Sequence, residues 1–163
     1  MGSHCRAWVL TTALAGIATL AGLSAQAVDA WAGTWKLNLA KSRYALGPAP
    51  RSAVSRLEPS EDAWKVSQDT IDAQGQPTHV EATVRFNGRD YPVTGTALGN
   101  AKVTWALTRI DDHTYASIVK RDGTVTSMAR TVVSPDGKIR TTTTTGKNAL
   151  GQMATNVAVY ERQ

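Results

Sequence analysis

The feature that most constrains this chain is an alternation of apolar and polar residues, from about residue 34 to the C-terminus. Turn-forming residues interrupt the alternation roughly every 8–12 positions, and no window carries a helical period. Short turns between consecutive strands are typical of an antiparallel meander. We predict ten strands, at residues 34–39, 53–58, 63–72, 78–86, 90–95, 102–110, 114–121, 124–134, 138–146 and 152–162.

A long open sheet of this kind would expose two edges and one apolar face. Closure into a barrel removes both problems, so we predict an all-β fold. The expected architecture is a single antiparallel up-and-down β-barrel of about 8–10 strands. A β-sandwich is the alternative, but a Greek key needs longer crossover connections than this chain offers. Asn87-Gly88 is the strongest hairpin signal and predicts a type I′ turn, and Asp122-Gly123 predicts a second hairpin.

The first 27 residues do not share the alternating pattern. They carry one basic residue, Arg6, followed by an uncharged and largely apolar run over residues 7–23. Ala25 and Ala27 supply the small residues of a cleavage site. We therefore predict a secretory signal peptide at residues 1–27, and periplasmic or secreted location in a bacterium. A retained membrane anchor is the alternative, because the run approaches spanning length.

The remaining domain, residues 28–163, is expected to contain no membrane span.

The composition of the chain argues against several classes of function. Apolar residues make up 42% of the whole chain and charged residues 19%, which argues against disorder. Cys5 is the only cysteine and would be removed with the signal peptide, so no disulfide or thiol chemistry is expected in the mature domain. The net charge of +5 is spread without basic runs, which argues against a nucleic-acid partner. Attraction to small anions stays open, and the oligomeric state is not indicated.

Gly33-Thr34-Trp35, which opens the first strand, resembles the Gly-x-Trp of lipocalins and related calycins. The mature segment is similar to a group of uncharacterised bacterial secreted lipocalin-like proteins, through the ordered stretches GTWKLNLAKSRY, FNGRDYPVTG, ARTVVSPDGK and NVAVYERQ. The resemblance implies that Trp35 plugs one end of the barrel. It implies no reaction and no cofactor. The predicted strand number is nearer that of the ten-stranded fatty-acid-binding barrels.

Side chains that alternate between lumen and exterior provide the candidate ligand contacts. Trp105 shares a strand face with Arg109, and we expect both to face the lumen or its end. Tyr160 and Arg162 lie two apart on the last strand, where fatty-acid-binding barrels place an Arg and a Tyr that clamp a carboxylate. Arg130 interrupts an apolar stripe and is a candidate inward anchor for an anion. If the side chain of Arg130 faces outward instead, the side chains of Ala129, Thr131 and Val133 face the lumen.

No catalytic or metal-binding constellation is recognisable in the sequence. Serines occur in no nucleophile elbow, and no histidine–carboxylate spacing suggests a metal site. We expect a binding module for a small, partly apolar, anionic ligand, held in a mostly apolar cavity of several hundred Å³. Two alternatives stay open. One is an interaction barrel whose lumen is filled by side chains, with an apolar patch outside. The other is an isomerase or cyclase with converging polar groups at a cavity.

Overall fold

The computed structural model describes residues 29–163, so the predicted signal peptide lies outside the described residues. The described chain forms ten β-strands and two single-turn 3₁₀ helices, at Leu39–Lys41 and Thr96–Leu98. The strands are β1 (Gly33–Leu37), β2 (Ser52–Ser60), β3 (Ala63–Ile71), β4 (Pro77–Val84), β5 (Asn87–Gly95), β6 (Val103–Arg109), β7 (Thr114–Arg121), β8 (Thr124–Val133), β9 (Ile139–Lys147) and β10 (Met153–Arg162).

The ten strands form one closed antiparallel barrel in which every strand pairs with its neighbours in sequence. The ring closes between β1 and β10, where Trp35 lies opposite Arg162 and Leu37 opposite Tyr160. This arrangement confirms the predicted up-and-down barrel and excludes the sandwich. No helix among residues 29–163 is long and apolar enough to cross a membrane.

The two predicted hairpin turns have different structures. Asp122 and Gly123 both have positive φ, at 51° and 79°, as a type I′ turn requires. At the other site only Gly88 has positive φ, Asn87 belongs to β5, and a bulge follows it. The predicted type I′ turn at Asn87-Gly88 is therefore wrong. The physical reason is that Phe86 leaves the ladder to pack on the aromatic ring of Trp31, at a centroid distance of 4.6 Å.

The predicted end of β2 at Pro59 is also wrong, because the strand continues to Ser60. Pro59 lies opposite Trp64 of β3, beyond the last residue of β2 that pairs with β1, which is Leu57. That part of β2 therefore has a neighbour on one side only. A proline without an N–H is tolerated at such an edge.

One end of the barrel is closed by aromatic side chains, and we call it the tryptophan end. Trp31 and Trp35 are both fully buried there, at 0% exposure, and the indole N–H of Trp35 donates to the Trp31 carbonyl oxygen at 2.9 Å. Trp31 precedes β1 and lies within 6.3 Å, between ring centroids, of three other aromatic side chains: Trp64, Phe86 and Tyr115. The residues before β1 therefore fold back across the barrel and close it.

Candidate functional site

A cavity of about 170 Å³ lies inside the barrel, next to the tryptophan end. It is lined by inward side chains of β2, β3 and β6–β10. Apolar walls come from Leu57, Val66, Trp105, Leu107, Val119 and Ala129. Hydroxyl or amide groups come from Ser55, Gln68, Tyr115, Ser117, Ser127, Thr131, Thr142, Thr144 and Tyr160. The cavity is thus smaller than the several hundred Å³ that the sequence-based hypothesis requires, although its exposed surface is mostly apolar, as expected.

The threonine-rich strand β9 supplies the most polar wall. Its alternation turns Arg140, Thr142 and Thr144 into the cavity, while Thr143 is exposed on the outer face. The hydroxyls of Thr142 and Thr131 of β8 are hydrogen-bonded at 2.9 Å. Threonine suits such a strand because its β-branched side chain packs on a pleated surface and its hydroxyl tolerates partial burial.

Among the described residues, Arg140 is the only charged side chain on this cavity wall, and it is only 3% exposed. Within residues 29–163, its Nε–H is buried without a hydrogen-bond acceptor, and no carboxylate lies within 4.0 Å of the guanidinium. Its guanidinium carbon lies 4.4 Å from the ring centroid of Tyr160 and 5.2 Å from that of Trp35. These cation–π contacts offset only part of the cost of burying a charge.

Tyr160, beside Arg140, and Tyr44, near Tyr160, both have a raised pKa. Burial raises the pKa of Tyr160, while the positive charge of Arg140 acts in the opposite direction and Tyr115 raises it slightly further. Burial, together with the proximity of Tyr160, raises the pKa of Tyr44 to about 12. Both phenols are therefore neutral near pH 7. The Tyr160 hydroxyl on the cavity wall can donate a hydrogen bond to an anion.

Two of the sequence-predicted ligand contacts lie on this cavity. Tyr160 is buried and lies directly opposite Arg140 in the pairing of β10 with β9. Trp105 of β6 is half-buried and forms part of the apolar wall. The structure thus brings Tyr160 together with an arginine, but that arginine is Arg140 of the neighbouring strand and not Arg162.

Arg162 lies outside the cavity, at the tryptophan end. Its Nε and one terminal nitrogen donate to the carbonyl oxygens of Gly137 and Ala30, each at 2.6 Å, and the other terminal nitrogen donates to that of Ala32. The guanidinium carbon lies 4.3 Å from the ring centroid of Trp35. Arg162 therefore holds the residues before β1 over the barrel end.

Arg109 also lies at the tryptophan end and not on the cavity wall. Its guanidinium lies 4.8 Å from the ring centroid of Trp31 and is hydrogen-bonded to Asp29 at 2.7 Å and to Asp112 at 3.1 Å. It shares the inward face of β6 with Trp105, as predicted, but it is the last residue of the strand. Its position at the strand end takes its side chain past the cavity to the surface.

Arg130 is exposed on the outer face of β8, so its predicted inward placement is wrong. The alternative holds instead, because Ala129 and Thr131 line the cavity and Val133 is buried. The apolar neighbours of Arg130 at positions 128 and 132 are themselves exposed. The apolar stripe therefore marks the outside of the barrel, and a ligand role of Arg130 inside it has no geometric support.

Sequence reasoning missed Arg140. The strand IRTTTTT has threonine on both faces after Arg140, so alternation alone could not say which face is inward. The adjacent strand held the missing signal. Val133 is apolar and pairs with Arg140 in the β8–β9 ladder, which places the two side chains on one side of the sheet. Aligning β9 with the inward face of β8 would have shown that Arg140 faces the lumen.

No cluster of three or more histidine, cysteine, aspartate or glutamate side chains suited to a metal ion occurs in the described part of the chain. The chain matches no protein-family model, and no curated protein is significantly similar to it.

Proposed function

We propose that this protein is an exported, lipocalin-like barrel that binds a small carboxylate in its lumen, with Arg140 as the anion anchor. The observation that carries the proposal is the buried guanidinium of Arg140, which faces a cavity, and whose Nε–H meets no acceptor among residues 29–163. A buried charge of this kind is strongly unfavourable unless a partner compensates it. A ligand carboxylate would supply both the negative charge and the acceptor atoms.

The chemistry of the cavity suits this class of ligand. A guanidinium fork binds a carboxylate through two parallel hydrogen bonds. The Tyr160 hydroxyl, across the β9–β10 ladder, would donate a further one. The remainder of the ligand would contact the apolar wall formed by Leu57, Leu107 and Trp105. The ligand would therefore have one charged end and one apolar end.

The size of the cavity limits the ligand. A volume of about 170 Å³ corresponds to roughly five or six water molecules. Sites for drug-sized ligands are larger, at about 300–1,000 Å³. We therefore propose a compact carboxylate with a short alkyl chain or a single ring, and not a long-chain fatty acid.

Catalysis is the second candidate function, because the phenol of Tyr160 lies beside the guanidinium of Arg140 on the cavity wall. General acid–base catalysis works best through a group that titrates near the operating pH. The cavity wall includes no histidine and no carboxylate side chain from the described residues. Binding is therefore the better supported of the two functions.

The side-chain-filled barrel is less well supported than either. It requires a lumen without a cavity, whereas this lumen contains about 170 Å³ of open space next to a buried charge. An apolar patch outside the barrel, which that alternative also requires, is present on β8. A patch of this kind is compatible with a ligand-binding lumen.

Calorimetric titration with hexanoate and benzoate would test the proposal. We expect binding to the wild-type chain and a loss of at least about ten-fold in affinity for Arg140→Met, because a charge-assisted pair contributes roughly 1.5–3 kcal/mol. Arg130→Met is the matched control, since it makes the same substitution on the same barrel, and it should bind as the wild type does. Equal affinities of the Arg140→Met variant and the wild type would reject the anchor role.

A further inference from the structure

A cluster of exposed apolar side chains lies at the end of the barrel opposite the tryptophan end. We call this the distal end; it comprises the β1–β2, β3–β4, β5–β6, β7–β8 and β9–β10 connections. Leu150, in the last of these connections, is 80% exposed. Val125, Met128 and Met153 are also exposed, and they line a groove of about 450 Å³ together with Lys147. A clustered apolar surface of this kind marks an interaction site more often than scattered apolar residues do.

The two ends of the barrel differ in charge. The distal connections and the strand ends beside them carry Arg51, Lys102, Arg121 and Lys147, against Asp72 and Asp122. The connections and strand ends at the tryptophan end carry more acids than bases, with Asp29, Glu61, Asp62, Asp111, Asp112 and Asp136 against Arg85, Arg109, Lys138 and Arg162. The apolar groove is therefore located at the basic end of a barrel whose charge is unevenly distributed along its axis.

The groove also adjoins the lumen. Ser127 of β8 lines both the groove and the internal cavity. A bulge in the β7–β8 ladder, between Val119 and Lys120, shifts the register next to this residue. Gly146 of β9 pairs with Ser127, and a Cβ at Gly146 would lie only 2.7 Å from the Thr126 carbonyl oxygen. Ser127 therefore belongs to both the groove and the cavity wall.

We propose that the distal end docks onto the surface of an anionic lipid bilayer. Leu150 and Met153 would enter the headgroup–acyl boundary, while Lys147, Lys102 and Arg121 would contact acidic headgroups. Apolar burial combined with basic charge is the combination that binds proteins to anionic membrane surfaces. Docking in this orientation would bring the groove and Ser127, and so the lumen, next to the lipid.

The charge distribution favours a membrane over a second copy of the chain as the occupant. Two copies joined through this groove would bring their basic ends together, and like charges in contact oppose association. An anionic bilayer presents the complementary charge, worth roughly five-fold in partition for each lysine or arginine near the surface. The docking proposal does not depend on the identity of the ligand in the lumen.

An environment-sensitive fluorophore on Leu150→Cys would test the proposal, in the full chain with Cys5→Ser so that only one thiol reacts. Its emission should shift to the blue with vesicles containing phosphatidylglycerol, and not with vesicles of phosphatidylcholine alone. The same label on Asp62→Cys, at the tryptophan end, is the matched control and should not shift. This local readout does not depend on any contact that residues 1–28 make with the lipid.

Lys147→Gln in the labelled Leu150→Cys chain should weaken the phosphatidylglycerol-dependent shift about five-fold in lipid concentration. The proposal is overturned if the label at position 150 does not respond to anionic vesicles, or if the label at position 62 responds equally. It is also overturned if the label at position 150 shifts with protein concentration in the absence of vesicles, because a second copy would then occupy the groove.

Discussion

Two arginines contact Trp35, one on the cavity wall and one at the tryptophan end, and their surroundings differ. Arg162 donates from all three of its guanidinium nitrogens to backbone carbonyl oxygens. Arg140 is buried next to the same indole ring, and its Nε–H meets no acceptor within residues 29–163. Evolution of a stable fold favours satisfied buried donors. The unsatisfied donor of Arg140 faces a cavity, and on this ground we propose that it serves a ligand.

The same contrast extends to the ion pairs of the two regions, although the indole N–H of Trp31 at the tryptophan end is also buried without an acceptor in the described chain. At the tryptophan end, Arg109 is paired with two aspartates and the Trp35 N–H with a carbonyl oxygen. On the cavity wall, Arg140 lacks an acidic partner in the described chain. The first region closes the barrel, and the second leaves a guanidinium N–H on the cavity wall unpaired within residues 29–163. Substitutions in the two regions should therefore affect different quantities, namely stability at the end and binding in the cavity.

Trp35→Ala should have the largest effect on stability, because it removes a fully buried indole from the tryptophan end. We expect a loss of about 3–5 kcal/mol in the free energy of unfolding, measured by urea denaturation. Trp105→Ala is the matched control on the cavity wall, where the indole is only half-buried. It should cost less stability and should weaken carboxylate binding. Equal unfolding midpoints for Trp35→Ala and the wild type would contradict the plug role of Trp35.

Arg162→Met should have the next largest effect. It removes the donors that hold the Ala30 and Ala32 carbonyl oxygens over the barrel end. We expect a loss of about 2 kcal/mol in the free energy of unfolding, since hydrogen bonds from a charged group contribute roughly 1.5–3 kcal/mol. Hexanoate affinity should stay at the wild-type value in calorimetry. A parallel loss of affinity would show that the two regions are not separate.

The smallest effect concerns alkaline pH. The folded-state pKa of Tyr44 is raised to about 12 from its ordinary value of 10, so the neutral phenol is favoured in the folded state. The stability linked to this group is fully present below pH 10 and is lost as the pH rises through 12. We expect Tyr44→Phe to reduce the fall in the urea midpoint over this range. An absorbance titration of Tyr44→Phe should show one fewer tyrosine ionising above pH 10 than in the wild type. An unchanged titration curve would contradict the raised pKa of Tyr44.

The strands were predictable because turn residues and alternation repeat along the whole mature chain. The local turn at Asn87-Gly88 was not, because tertiary packing of Phe86 on Trp31 overrides the preference of the dipeptide. Propensity describes neighbouring residues, whereas this packing joins residues far apart in sequence. The path of the chain before β1 was unpredictable for the same reason.

The candidate site was predictable only in part. Trp105 was found because it lies on a strand with an apolar face, and Tyr160 because it lies two positions before Arg162 on the last strand, as in fatty-acid-binding barrels. Arg140 was not, since its own strand carries threonine on both faces. Arg130 misled because exposed apolar residues on the outside of β8 mimic a core stripe. The direction of a side chain in a barrel depends on the register of adjacent strands, which one strand alone does not contain.

Urea unfolding of Arg140→Met, with and without hexanoate, tests most directly whether Arg140 serves a ligand or the fold. Without hexanoate we predict a midpoint at or above that of the wild type, because methionine removes an uncompensated buried charge. Hexanoate at a hundred times the wild-type Kd should raise the free energy of unfolding of the wild type by about 2.7 kcal/mol and that of the variant by about 1.4 kcal/mol or less. A large loss of stability in the unliganded variant, with both chains responding equally to hexanoate, would contradict the account.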